Sequence, residues 1–133
     1  MFATSSDPRS RSRGSHSSLS SDFSPDLAYL DFILDAIDRI EDYSRDGRAR
    51  FFGDRMVQDA VLPNLQTLSE ATSRLSESAR SQHPEIPWRV IAGFRNVLTH
   101  DYLGINLDLV WPVVEEQLPN LKRAILAIRS KLD

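Results

Sequence analysis

The chain has 133 residues, which suits a single domain, and its formal net charge of −3 excludes RNA binding by bulk positive charge. It contains no cysteine, so disulfides and thiolate metal sites are excluded, and its three histidines lack the spacing of metal ligands. Because no apolar run approaches the ~20 residues of a membrane span or resembles a secretion signal, we expect a soluble cytoplasmic protein without a membrane partner.

The first segment, residues 1–25, differs in composition from the rest of the chain. It is rich in Ser, Arg, Asp and Pro, and Phe2, Leu19 and Phe23 are its few large apolar side chains beyond the initial Met. Such a segment buries too little surface to offset the entropy lost on ordering. We interpret residues 1–25 as a disordered Ser/Arg-rich tail or an expression-derived segment, followed by a helical domain over residues 26–133.

The first predicted helix covers residues 26–45. At its start, Ser24-Pro25-Asp26 offers a cap and a proline in its favoured first-turn position. Apolar side chains then recur at three- and four-residue steps and form one stripe: Leu27, Leu30, Ile33, Leu34, Ile37 and Ile40. Acids occupy the other faces, and we interpret them as a solvated surface rather than a metal site: Asp31, Asp35, Asp38 and Asp42.

A second long helix is predicted after a break at Gly47 and a short helical turn that packs Phe51 or Phe52. Asp54 can cap this helix, which we expect to run to about Ala79 with a kink at Pro63. Its core candidates are Val57, Val61, Leu65, Leu68 and Leu75. Three polar residues could face the core or a cleft: Asp59, Asn64 and Glu70.

Two further helices complete the predicted fold. One begins at Pro87, with Trp88 as a core residue, and the last is capped by Asn106 or Asp108 and bends at Pro119. The inner stripe of the last helix consists of Leu107, Val110, Val114, Leu118, Leu121, Ile125 and Ile128. Amphipathic helices joined by short links predict an all-α, antiparallel four- to five-helix bundle.

The stretch that suggests chemistry is residues 91–102. Arg95 offers a planar fork of donors suited to a phosphate, and His100 can exchange a proton near neutral pH. Asn96 lies four residues before His100, so both share a helix face, whereas Arg95 and His100 lie ~140° apart on a straight helix. They border one cavity if His100 is at a frayed end or if a second subunit closes the site. This set suits metal-free attack on a phosphodiester.

The motif Arg-Asn-x-x-x-His-x-Tyr at 95–102 resembles the signature of the HEPN superfamily, specifically the HepT-like toxins of HepT/MNT toxin–antitoxin pairs. The similarity covers about residues 26–132 and includes the segments 30–43, 58–65, 83–94 and 103–111. One departure is Ser69, which stands where such proteins usually have a glycine before a Glu-Ala pair.

This resemblance implies a HEPN-like homodimer with its site at the interface, acting as a metal-independent endoribonuclease on tRNA or mRNA. Arg95 and His100 would be catalytic and Asn96 supporting. Tyr102 would accept AMP from an MNT-type nucleotidyltransferase antitoxin, so the partner uses ATP and the chain itself needs no cofactor. An anionic adduct at Tyr102 would repel RNA phosphates and pair with Arg95.

Two other interpretations remain open from the sequence. HEPN-like bundles also resemble non-catalytic helical partners of nucleotidyltransferases, in which Arg95 and His100 would bind a nucleotide phosphate without cutting RNA. Alternatively, the protein is a dimeric bundle whose motif only caps a helix. Tyr102 also has a structural alternative, as a buried phenol satisfied by one hydrogen bond.

Overall fold

The computed structural model describes residues 25–100 and 106–132, and for residues 97–100 the description covers the backbone only. All regular structure in these two ranges is helical, which confirms the all-α prediction. The elements are α1 Pro25–Tyr43, α2 Arg48–Gly53, α3 Arg55–Ser73, α4 Glu77–Arg80, α5 Trp88–His100, α6 Leu107–Pro112, a π-helical segment Val113–Gln117, and α7 Leu118–Ser130. The interpretation of residues 1–24 as a tail falls outside the described residues.

The long helices pack as an antiparallel bundle around one apolar core. Helix α1 contacts α3 and α7, and α3 also contacts α5. The start of α1 bonds to the loop after α3, where Asp26 accepts from Ser76, and Asp31 of α1 pairs with Arg129 at the end of α7 at 2.6 Å. Most predicted core residues are buried, and the fully buried ones among them are Leu30, Ile33, Ile37, Ile40, Val61, Leu65, Leu68, Val110, Leu118, Leu121 and Ile125.

The prediction that the second long helix reaches Ala79 is wrong. Helix α3 ends at Ser73, and the short helix α4 follows with Ser76 as its N-cap. The carboxylate of Asp26 accepts hydrogen bonds from the Ser76 backbone N–H at 2.8 Å and from its Oγ at 2.5 Å. The Ser76 N–H thus bonds to the buried Asp26, 50 residues away in the chain, instead of to a carbonyl of α3. This contact holds the backbone of Ser76 outside α3.

The junctions around α2 follow the sequence predictions. Gly47 adopts φ +93°, a conformation that favours glycine, and the chain turns there into α2. Phe51 is fully buried and packs on Trp111 with ring centroids 5.1 Å apart. Asp54 caps α3 by accepting from the Met56 N–H at 2.9 Å. Helix α2 is therefore anchored to the core through Phe51.

The last predicted helix is divided by the π-helical segment. The Leu118 N–H bonds to the Val113 carbonyl, five residues back, and Pro119 follows in the first turn of α7. Asn106 caps α6, since its side chain accepts from the Asp108 N–H at 2.9 Å.

Pro63 lies on the exposed side of α3, and the helix continues through this proline. In the described part of the chain, no helix combines the length and apolar character needed to cross a membrane.

Candidate active site

Helix α5 is fixed on the bundle through its first two turns. Trp88 is buried and its indole N–H donates to the His83 carbonyl at 2.9 Å, while Ile91 faces the core. This orientation leaves Arg95 half-buried at the edge of the α3–α5 contact and Asn96 exposed to solvent. The core packing predicted for Trp88 is confirmed, and it determines the direction in which Arg95 leaves the helix.

Arg95 is held by an acid of the neighbouring helix. Its Nη1 donates to Oε1 of Glu70 at 2.9 Å, and the two side chains are 41% and 37% exposed. The other carboxylate oxygen, Oε2, accepts from Arg74, at 3.0 Å from Nη2 and 3.2 Å from Nε. One carboxylate thus bonds two guanidinium groups, one from α5 and one from Arg74, the C-cap residue that follows α3.

The charge of Glu70 is stabilised by these contacts. The hydrogen bond from Arg95 first, and then the one from Arg74, lowers the pKa of the Glu70 carboxyl below its usual value. Glu70 is therefore ionised at neutral pH, when a phosphodiester also carries its full charge. The bond to Glu70 uses Nη1, whereas a guanidinium has five N–H donors, so the remaining N–H groups of Arg95 can donate to a phosphate oxygen.

His100 is the last described residue of α5. Its side chain lies outside the described residues, so its approach to Arg95 stays a prediction. Five residues of helix separate the two Cα atoms by about 7.5 Å along the axis. Around the axis of a straight helix the two positions lie ~140° apart, so a shared phosphate requires a change at the helix end or a second subunit. Tyr102 lies outside the described residues altogether.

The pairing of Arg95 with Glu70 was not predicted from sequence, where Glu70 was only one of three polar candidates. The structure separates these candidates, because Asp59 is exposed and Asn64 donates to the Ala60 carbonyl within its own helix. The serine that departs from the family pattern, Ser69, is fully buried and its hydroxyl donates to the Leu65 carbonyl at 2.9 Å. That departure therefore leaves no unpaired polar group beside Glu70.

Within the described ranges, no group of three or more His, Asp or Glu side chains is arranged to hold a metal ion.

A family model described as "Ribonuclease HepT-like" matches residues 33–128, which include the motif and the helices α3 and α5. The chain belongs to the HepT-like ribonuclease family. This family assignment confirms the resemblance seen in the sequence and, at the level of the family, the prediction of a ribonuclease.

Several curated relatives carry related names. A protein of Methanocaldococcus jannaschii, named as a gamma-glutamylcyclotransferase and candidate RNase, is 38% identical over 79% of this chain and 48% of its own length. A candidate ribonuclease HepT of Thermococcus cleftensis is 37% identical over 77% of the chain and 94% of its own length. The mRNA nuclease HepT of Shewanella oneidensis is 29% identical over 71% and 89%. The HepT-like chain thus spans about half of the first relative and nearly all of the second. No solved structure matches.

We predict that Glu70→Gln weakens the fold only slightly. Because the folded-state pKa of Glu70 is lowered, the ion pair contributes stability above the usual pKa of 4.5 and loses it as pH falls through the lower folded value. For a pair this exposed, the loss in unfolding free energy at pH 7 should be about 0.2–1 kcal/mol. Urea unfolding at pH 7 and at pH 3 measures it, with Asp59→Asn as the control acid on α3. An equal deficit at both pH values would contradict this linkage.

Proposed function

We propose that this protein is the toxin of a HepT/MNT-type toxin–antitoxin pair and cuts tRNA or mRNA as a metal-independent endoribonuclease. The observation that carries the proposal is the half-exposed guanidinium of Arg95, which lies on the same helix as His100 and is held by Glu70 of α3. Family membership supports the ribonuclease class. The names of the relatives from Thermococcus and Shewanella, ribonuclease and mRNA nuclease, support RNA as the substrate.

The proposed chemistry is transfer of the phosphoryl group to the neighbouring ribose oxygen. One His100 imidazole removes the proton of the 2′-OH, and the 2′-oxygen attacks phosphorus. The bond from phosphorus to the 5′-oxygen breaks, and a protonated imidazole supplies the proton to that leaving oxygen. Arg95 binds the phosphate and stabilises the charge developing on its oxygens. Asn96, exposed beside Arg95, orients His100 or the phosphate.

A homodimer would supply both the base and the acid. One protomer carries one histidine in the motif, whereas the cleavage needs one proton removed and another delivered. Two copies of α5 related by a twofold axis would present two Arg95 and two His100 side chains to one phosphodiester. The seam between protomers is therefore the proposed catalytic cleft.

Cleavage of a single-stranded RNA in buffer containing EDTA tests the ribonuclease proposal. The wild type should cut it, and His100→Ala should lower the rate by about 10²- to 10⁴-fold, the contribution of positioned proton transfer. His83→Ala is the control, because His83 lies before α5, outside the motif, and pairs with Glu85. Equal rates in all three proteins would remove the mechanism, and a wild type that binds nucleotide without cutting would favour the non-catalytic partner.

We propose that an MNT-type nucleotidyltransferase antitoxin neutralises the toxin in the cytoplasm. The antitoxin would transfer AMP from ATP to Tyr102, bind the toxin, or do both. Transfer would join the α-phosphorus of ATP to the phenol oxygen and release pyrophosphate. The adduct adds a bulky anion two residues beyond His100, where it would compete with RNA for Arg95.

We expect intact-mass spectrometry after co-expression with an MNT-type antitoxin to show an added AMP, and Tyr102→Phe to abolish it. Tyr43→Phe is the control, because Tyr43 is exposed at the C-terminal end of α1. An unmodified wild type that still binds the antitoxin and loses nuclease activity would leave binding as the neutralising step. A mass increase that persists in Tyr102→Phe would exclude this acceptor.

A further inference from the structure

A groove between α1 and α3 adjoins the candidate active site. Its volume is about 380 Å³, and its lining comprises Tyr29, Phe32, Thr67, Glu70, Ala71 and Arg74. Glu70 belongs both to this lining and to the ion pair with Arg95, so the groove and the motif on α5 share one side chain. Whatever binds at Arg95 therefore lies beside this groove.

The groove combines aromatic surface with positive charge. Phe32 is 46% exposed although it is a large apolar side chain, and Tyr29 beside it is only partly buried. Arg74 is exposed and lines the groove with them. The hydrogen bond to Glu70 first, and then a smaller contribution from Tyr29, raises the pKa of Arg74. Two guanidinium groups against one carboxylate leave a local excess of one positive charge in a chain whose net charge is −3.

We propose that this groove binds the base of a single-stranded RNA nucleotide next to the scissile phosphate, with Phe32 and Tyr29 stacking on it and Arg74 contacting its phosphate. The inference rests on the proposed function, since it assigns a neighbouring subsite to the same substrate. Single-stranded nucleic acids are recognised by aromatic faces set beside cationic side chains, and every base has a face to stack. The unpaired base is required because a duplex keeps its bases stacked on one another.

Binding is measured by fluorescence anisotropy with a fluorescein-labelled, 2′-fluoro single-stranded 12-mer, which has no 2′-OH to be attacked. Phe32→Ala should raise Kd about tenfold, within the range that one stacked base contributes. Phe32→Trp should restore binding, because it keeps an aromatic face. Tyr43→Ala is the matched control, since Tyr43 is 41% exposed on the same helix, eleven residues away, and should leave Kd unchanged.

The charge component has its own pair of variants. Arg74→Ala should weaken binding and reduce the dependence of Kd on salt, because a phosphate contact would be lost. Arg45→Ala removes a guanidinium that is also exposed and also paired with an acid, Asp42, but lies beyond the end of α1. It should change neither quantity. Photocrosslinking of a 5-iodouridine 12-mer, followed by peptide mass mapping, should place the adduct on Tyr29 or Phe32.

The outcomes separate this inference from the ribonuclease proposal. If the wild type cuts RNA and Phe32→Ala binds the 12-mer as tightly as Tyr43→Ala does, the groove is not a subsite and the nuclease assignment stands. If Phe32→Ala converts a dimer into a monomer in sedimentation and loses binding for that reason, the face belongs to a second copy, and the inference is wrong. A wild type that neither binds nor cuts RNA removes both.

Discussion

Arg95→Ala is expected to lower kcat/KM for RNA cleavage by about 10²- to 10³-fold, the usual effect of removing one preorganised donor from a developing oxyanion. The side chain is 41% exposed and its partner Glu70 keeps a second bond to Arg74, so the fold should tolerate the change. Arg95→Lys should recover little of this loss, because an ammonium keeps the charge but cannot bond Glu70 and a phosphate with one planar fork. Rates under single-turnover conditions measure both variants.

Arg89→Ala is the control for this prediction. Arg89 is exposed on the same helix, six residues before Arg95, and carries the same charge. Its removal should change RNA cleavage only through the weak, salt-dependent attraction of one surface charge. If Arg89→Ala and Arg95→Ala lose activity equally, the effect is general electrostatics, and Arg95 has no special place in the reaction.

The bond to Glu70 would suit Arg95 to the proposed binding of a phosphate in a chain whose net charge is −3. A free arginine on a helix surface samples many rotamers, and ordering it on a substrate costs conformational entropy. Glu70 holds Arg95 in one orientation before RNA arrives, and Arg74 holds Glu70. In the proposed mechanism, the phosphate would thus meet a local chain of three charges, Arg95, Glu70 and Arg74.

The helices and most of the core were predictable, because they depend on spacing that is local in the chain. The stripe from Leu30 to Ile40 and the caps at Asp54 and Asn106 were found in this way. The end of α3 was not found, since Leu75 and Ala79 continue the apolar spacing of the helix beyond Ser73. What ends the helix is Asp26, and a partner 50 residues away leaves no periodic signal.

The candidate site was likewise predicted only in part from the sequence. The motif identified Arg95 and the helix that carries it, since residue types and spacing are local information. The bond to Glu70 joins residues 25 apart and depends on how α3 packs against α5, which no spacing rule gives. Phe32 lies outside the apolar stripe of α1, so helix spacing agrees with its exposure, whereas its place in a groove with α3 depends on how the two helices pack.

A mixed dimer of wild type and His100→Ala subunits provides the strongest test of a composite site. The two subunits are co-expressed with different affinity tags and purified through both. If the base and the acid are the two His100 side chains of one cleft, a dimer with a single imidazole should fall to about 1% of wild-type activity or less. If each protomer completes its own site, the mixed dimer should keep about half.

A doubly tagged wild-type dimer controls for the tags, and recovery of the protein through both tags after the assay excludes exchange of subunits. A mixed dimer of wild type and Arg95→Ala adds information about the phosphate. Because one Arg95 would remain beside the cleft, its partial loss should be smaller than that of the mixed His100 dimer. Half activity in the mixed His100 dimer would place the acid and base within one chain, and a residue other than His100 would then have to supply one of the protons.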